Sequence, residues 1–173
     1  MNACATQASA LALAAESPHP QEILLDLAVS SRWEALREVS AMIERSRGLS
    51  APPIFRALWR REQAASTALG SSFALPHARI TGIAEPVTIY VRVGTPIDFA
   101  APDHRLVSEL FVLLVPTDGD NASHLGLLAL IAELFSDDGF RAALRLAHDA
   151  ASVRQTFKRW LERRSARAGA TAA

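Results

Sequence analysis

A single α/β domain, a mixed β-sheet flanked by helices, is the fold this sequence predicts, and three features predict it. Val87, Ile89, Val91 and Val93 alternate with Thr88, Tyr90 and Arg92, the pattern of a strand with one apolar face. The run from Leu110 to Val115 is apolar on both faces and stops at Pro116, as a central strand covered by helices on both sides does. Around these runs lie segments whose apolar residues recur at helical spacing, so helices pack on the sheet.

The elements follow in chain order. Ile23, Leu25, Leu27 and Val29 alternate and predict a short extended entry segment. Ser31 with Glu34 three residues on is a capping-box signature, and Trp33, Leu36, Val39 and Ile43 carry the helix to Gly48, where it stops. Ser50 is expected to cap a second helix, with Pro52 and Pro53 in the first turn, where a missing N–H costs little. Phe55, Leu58 and Trp59 should face inward, and the helix should end near Arg61 and Glu62. Gln63 to Ser72 gathers small and hydroxylated residues, a loop feeding the short strand Phe73–Leu75 before Pro76 and His77. Past the central strand, Asp118–Asn121 opens a helix. Leu125, Leu128, Ile131 and Phe135 form one of its stripes and Leu127, Leu130 and Leu134 another, which predicts burial over much of its surface. Two more helices are expected, around Phe140 and Leu144, and around Val153, Phe157, Trp160 and Leu161.

Composition narrows the function classes. The chain has 173 residues, half of them apolar, enough for one core. Its 18 basic and 18 acidic residues cancel, which gives no nucleic-acid footprint, so charge-based function must be local. The only cysteine, Cys4, excludes a disulfide framework and a cysteine-based metal site within the monomer. The apolar run Ala8–Ala15 is far below the roughly 20 residues of a membrane span and lacks a positive flank. The expected organisation is a flexible leader over 1–19, the domain over 20–162 and a flexible tail over 163–173, in the cytoplasm, without membrane insertion.

Five histidines are the main candidates for chemistry, because a neutral imidazole is nucleophilic and changes charge near neutral pH. His19 sits among prolines, His104 in a turn and His148 near a helix end, where structural roles suffice. His77 stands apart, since Pro76 fixes the backbone before it and a strand end is a sound platform for an exposed side chain. His124 falls in the first turn of a helix, where N–H groups and the helix dipole favour an anion such as phosphate. Phosphate-loop, nucleophile-elbow and paired-histidine metal patterns are absent. Asp118-Gly119-Asp120 lacks the later glycine and glutamate of a calcium loop and reads as a helix-entry turn. Lys158, Arg159, Arg163, Arg164 and Arg167 read as a solvated helix end.

The stretch from Arg61 to Gly70, followed by Ala74-Leu75-Pro76-His77-Ala78-Arg79, resembles the active-site segment of fructose/mannitol-type EIIA domains, and within them the nitrogen-regulatory EIIA proteins. The likeness continues in order through Thr95–Phe99, Ala101–Asp103, Leu110–Pro116, His124-Leu125 and Ile131–Asp137, covering roughly residues 20 to 162. The resemblance implies a histidine phosphocarrier of the phosphotransferase system, with His77 phosphorylated by phospho-HPr or its nitrogen-system counterpart. It implies that Arg61 and His124 lie near the phosphoryl group, and Thr67 is a further candidate hydroxyl donor. A guanidinium offers a planar fork suited to phosphate oxygens, and phosphoryl transfer depends on positioning and charge stabilisation. No cofactor or metal is implied.

The chain departs from the family at Ala65, Ala68, Ser72 and Ala78, where glycine is usual, and at Ser108, where an acid is common. A Cβ at any such position that needs positive φ costs about 1–2 kcal/mol. Stand-alone length favours a regulatory EIIA; the alternatives are a sugar-specific EIIA that hands phosphate to a separate EIIB, and a degenerate EIIA-like binding module that carries none. A hydrolase ranks last, because no partner nucleophile or orienting carboxylate is evident.

Overall fold

The computed structural model describes residues 18–171, with side chains described through 166. They fall into two units, Gln21–Gly119, and the residues before Gln21 together with those from Asp120 onward. The expected leader lies almost wholly outside the described residues.

The first unit runs β1 (Glu22–Leu27), α1 (Arg32–Arg47), α2 (Ala51–Ala64), β2 (Ala68–Gly70), β3 (Phe73–Ala74), β4 (His77–Ile80), β5 (Val87–Ile97) and β6 (Val107–Pro116). These strands form one mixed sheet in the order β1-β5-β6-β3-β2, with β4 also on β6. β1 is parallel to β5, β5 antiparallel to β6, and both β3 and β4 parallel to β6. The strand expected at the centre is therefore central, and residues 109–115 of it are buried on both faces. Leu36, Val39 and Ile43 of α1 and Ile54 and Leu58 of α2 share one core with Ile89, Val91, Leu110, Val112 and Leu114 of the sheet. Apolar spacing of three and four residues along each helix puts those side chains on one stripe, which is why both helices lie on the sheet.

The caps hold two surprises. Ser31 caps α1 as expected, its hydroxyl accepting from the Glu34 N–H at 3.2 Å, but the Glu34 carboxylate reaches Ser30, taking its N–H and hydroxyl at 2.8 Å each. Gly48, at φ 68°, ends the helix as predicted. Ser50 makes no side-chain cap on α2; instead the Ala51 N–H donates to the Glu44 carboxylate at 3.1 Å. A carboxylate of the preceding helix thus does the work assigned to the hydroxyl. On α2, Ile54 rather than Phe55 or Trp59 is buried beside Leu58. Phe55 and Trp59 are half-buried and stack on each other, with Trp33 edge-on to Phe55.

The segment read as a loop is a helix end followed by a hairpin. α2 continues to Ala64, and β2 turns back on β3 through Ser71 and Ser72, at φ 54° and 64°. Two consecutive positive φ values are the requirement of a tight primed turn, ordinarily met by Asn-Gly or Gly-Gly. Asp103 supports it, its carboxylate accepting the Ser71 N–H at 2.8 Å. Among the four positions where the family favours glycine, only Ser72 adopts positive φ; Ala65 is extended at φ −167°. Three of the four exchanges therefore carry no backbone strain.

The second unit holds α3 (Asn121–Ser136), α4 (Asp138–Leu146) and α5 (Ala150–Thr171). Asp120 and Asp137 cap α3 and α4, accepting the N–H groups of Ser123 and Phe140 at 2.9 Å each. Phe135, Phe140 and Phe157 meet edge to face at 5.0 to 6.0 Å between ring centres and form the core of this unit. α3 is less buried than its sequence predicts: Leu127, Ile131, Leu134 and Phe135 are inside, whereas Leu125 is 64% exposed. The buried face takes Ile131 and Phe135 from one predicted stripe and Leu127 and Leu134 from the other. The boundary expected at residue 162 falls inside α5. Its basic run is largely engaged locally, with Arg163 over the Trp160 ring and Arg164 paired to Glu133 at 3.0 Å. No helix among the described residues is long and apolar enough to cross a membrane.

The hairpin turn gives the first prediction. Replacing Ser72 by Gly should stabilise the protein by about 0.5–1 kcal/mol, because relief at positive φ outweighs the added chain entropy, while Ser72→Val should cost about 1–2 kcal/mol. Thermal denaturation of the two variants against the parent checks the sign.

Candidate functional site

The site is assembled by α2 and β4, which lie against each other. Along α2 the buried positions step by four: Ile54, Leu58 and then Glu62. The stripe that seats the helix thus ends in a carboxylate, and Arg61, one residue earlier, sits half-buried at the edge of it. On β4 the alternation of a strand applies: Ala78 and Ile80 are buried, His77 and Arg79 half-buried.

These placements bring Arg61 and His77 into contact. The Arg61 Nε–H donates to His77 Nε2 at 3.1 Å, and Arg61 Nη1 donates to the Ala65 carbonyl at 2.8 Å, which anchors the guanidinium to the end of its own helix. On the other side of the ring, His77 Nδ1 lies 2.8 Å from the Leu75 carbonyl oxygen. A carbonyl oxygen only accepts, so Nδ1 carries the proton; a guanidinium only donates, so Nε2 presents its lone pair. The two bonds together define a neutral imidazole protonated at Nδ1 and nucleophilic at Nε2.

The charge state agrees with that assignment. Burial holds the His77 pKa below its usual value; the Leu75 carbonyl opposes this by favouring the protonated ring, and the Arg61 charge lowers the pKa further. Desolvation and a neighbouring cation both disfavour imidazolium. The ring is therefore neutral at pH 7.

Thr67 is placed differently from its expected role as a phosphoryl donor. It is 3% exposed, and its hydroxyl and N–H both go to the Glu62 carboxylate, at 2.6 and 3.0 Å. A hydroxyl whose proton is committed to a buried carboxylate has none to offer a phosphate, so Thr67 holds the loop after α2 instead. Glu62 is the residue that sequence reasoning missed. Its signal was present, since it occupies the next four-residue step of an apolar stripe, a position where an acid is out of character.

The other histidines lie on other elements. His124 is half-buried early in α3, in the second unit, its N–H bonded to the Asp120 carbonyl at 3.2 Å. His19 is half-buried, with burial lowering its pKa and Lys158 adding to the shift. His104 is exposed in a turn at φ 57°, and His148 is exposed after α4. Among the described residues no group of three or more His, Cys, Asp or Glu is arranged to hold a metal ion.

The mixed α/β sheet thus presents an oriented neutral imidazole beside an anchored guanidinium, whose planar fork of donors suits an anion such as phosphate. Residues 18–160 match the family described as the phosphoenolpyruvate-dependent sugar phosphotransferase system, EIIA 2, and the chain belongs to that family. It is 34% identical over 134 residues to a nitrogen regulatory protein of Bradyrhizobium diazoefficiens, covering 78% of this chain and 87% of the relative. A nitrogen regulatory protein of Escherichia coli is 34% identical over 118 residues, covering 68% of this chain and 72% of the relative. The crystal structure of the nitrogen regulatory protein IIA-Ntr from Neisseria meningitidis superposes with a TM-score of 0.73 at 34% identity, over 81% of this chain and 93% of the other. The IIA mannitol structure of Escherichia coli shares the fold, with a TM-score of 0.65 at 16% identity, over 79% of this chain and 95% of the other. The chain is accordingly a phosphotransferase-system component of the nitrogen-regulatory kind, as its sequence blocks implied.

The depressed His77 pKa has a measurable consequence. Because the folded value lies below the unfolded one, near 6.5, the unfolded chain takes up the proton first as pH falls. The contribution of His77 to stability is thus complete above pH 6.5 and is lost on acidification towards the folded value. Denaturant titrations from pH 7.5 to 5 should show a slope that His77→Gln reduces.

Proposed function

We propose that the chain is a regulatory histidine phosphocarrier in which His77 Nε2 accepts a phosphoryl group from phospho-HPr or its nitrogen-system counterpart. The observation that carries this reading is the pair of bonds on the ring, Nδ1–H to Leu75 and the Nε2 lone pair facing Arg61. In the transfer, Nε2 attacks phosphorus in line, the new N–P bond forms, and the N–P bond to the donor imidazole breaks with its electron pair returning to the donor nitrogen. No proton has to leave His77 first, because Nε2 carries none.

Arg61 has a double part in this scheme. At rest its Nε–H occupies the lone pair that must attack, so the guanidinium has to exchange that nitrogen for phosphoryl oxygens as the donor arrives. The Nη1 bond to Ala65 keeps it close while it does so. A planar fork of donors then meets charge that spreads over the phosphoryl oxygens in the transition state. His124 keeps the place near a helix N-terminus that suits an anion, within the second unit.

The phosphorylated imidazole carries added charge and acceptor oxygens at the surface, a change suited to making or breaking contacts with regulated proteins in the cytoplasm. The carrier unit in this reading is residues 20–162, which overlaps the matched span 18–160. The 34% identity to nitrogen regulatory proteins supports regulation over delivery to a sugar-specific EIIB. The absence of positive φ at Ala65, Ala68 and Ala78 speaks against a degenerate module that has lost its chemistry through its missing glycines.

Intact-mass measurement after incubation with phosphoenolpyruvate and the general phosphotransferase proteins should show one acid-labile phosphoryl adduct on the parent chain and none on His77→Ala. An adduct that survives in His77→Ala would overturn the site. Arg61→Ala should slow acceptance by about 10²- to 10³-fold, the usual loss on removing one donor to developing charge; stopped-time mass spectra give the rate.

A further inference from the structure

Glu62 is 2% exposed and holds three contacts at once. One carboxylate oxygen accepts from Arg32 Nη1 at 3.3 Å; the other accepts the Thr67 N–H at 3.0 Å and the Thr67 hydroxyl at 2.6 Å. From there the path leads to the imidazole. The Thr67 carbonyl accepts the Leu75 N–H at 2.9 Å, and the Leu75 carbonyl accepts His77 Nδ1–H at 2.8 Å. Pro76, whose φ is fixed by its ring, joins Leu75 to His77 and passes its carbonyl to the Leu113 N–H at 2.9 Å. The orientation of the Leu75 carbonyl is thus set from one side by β6 and from the other by Thr67, which Glu62 grips.

Fold stability does not call for an acid at this step. Burying a carboxylate is costly, and a hydrophobic residue in its place often serves stability as well or better. An apolar residue at 62 would continue the stripe of Ile54 and Leu58, but would leave the N–H and hydroxyl of Thr67 without their acceptor. The counter-charge is itself held in place, since the Arg32 guanidinium also lies 5.9 Å from the centre of the Trp59 ring.

We propose that Glu62 is a positioning residue for His77: through Thr67 and the Leu75 carbonyl it fixes the ring with Nδ1–H turned to Leu75 and Nε2 turned to Arg61. The claim about ring geometry stands on the hydrogen bonds alone; its effect on transfer rests on the carrier reading above. Glu62 touches no reacting atom, and it works by holding the acceptor that selects the tautomer. Second-layer partners of this kind typically change activity by about 10- to 100-fold when lost.

The test is nitrogen-15 NMR of the His77 ring, with the rate of phosphoryl acceptance, in the parent, Glu62→Leu, Glu62→Gln and Thr67→Val. Glu62→Leu should populate the Nε2–H tautomer and slow acceptance at least about tenfold. Glu62→Gln keeps a carbonyl acceptor for Thr67 and should restore most of both. Thr67→Val, which removes only the hydroxyl at nearly constant shape, should fall between them and serves as the deciding variant if Glu62→Leu does not fold. A folded Glu62→Leu or Thr67→Val with the parent tautomer would overturn the proposal, as would a loss in Glu62→Gln equal to that in Glu62→Leu. If the parent chain takes no phosphoryl group, the carrier reading fails, while the tautomer comparison still decides the role of Glu62.

Discussion

The pairing of residues 73–80 with β6 is the constraint on which the site depends. Phe73, Ala74, His77, Ala78, Arg79 and Ile80 lie opposite Glu109, Leu110, Leu113, Leu114, Val115 and Pro116, and the offset is the same at every pair. β3 and β4 are thus one parallel strand with an interruption at Leu75 and Pro76, not two strands that happen to adjoin. Proline has no N–H for the ladder, yet its carbonyl still takes the Leu113 N–H, so the register survives the break. Beside the break, the Leu75 carbonyl accepts from the imidazole two residues on.

The helix opposite supplies the other half by a difference of one residue. Successive residues of an α-helix are turned by about 100°, so Arg61 and Glu62 cannot share an environment. Glu62 falls on the stripe that meets the sheet and is buried against Thr67; Arg61 falls beside it and keeps enough access to reach His77. Adjacent opposite charges thereby do different things, one organising the loop from inside and one addressing the imidazole from outside.

Much of this was legible in the sequence, where local chemistry is decisive. The alternation in β5, the two-sided apolar run of β6 and the stop at Gly48 each reflect a periodicity or a conformational preference that the tertiary fold does not override. His77 and Arg61, singled out through the order of blocks resembling EIIA domains, do meet in the structure. The failures share a cause, which is that a hydrogen-bonding side chain does not announce its partner. Glu34 reaches Ser30 instead of completing the box with Ser31, Glu44 caps α2 in place of Ser50, and Thr67 spends its hydroxyl on Glu62. The hairpin β2–β3 escaped notice because Ser71-Ser72 lacks the glycine or asparagine that advertises positive φ, and its support comes from Asp103, far along the chain. The tautomer of His77 was beyond reach for the same reason, since it is chosen by a backbone carbonyl rather than by a residue type.

The Arg61–His77 bond has one more consequence for a carrier of this kind. While the guanidinium caps Nε2, the lone pair is masked from passing electrophiles that offer nothing in return. A phosphoryl donor does offer something, because its oxygens are better acceptors for the guanidinium than the ring nitrogen is. In the carrier proposed above, the ring nitrogen is thus bared by the phosphoryl donor itself, through the exchange of one hydrogen bond.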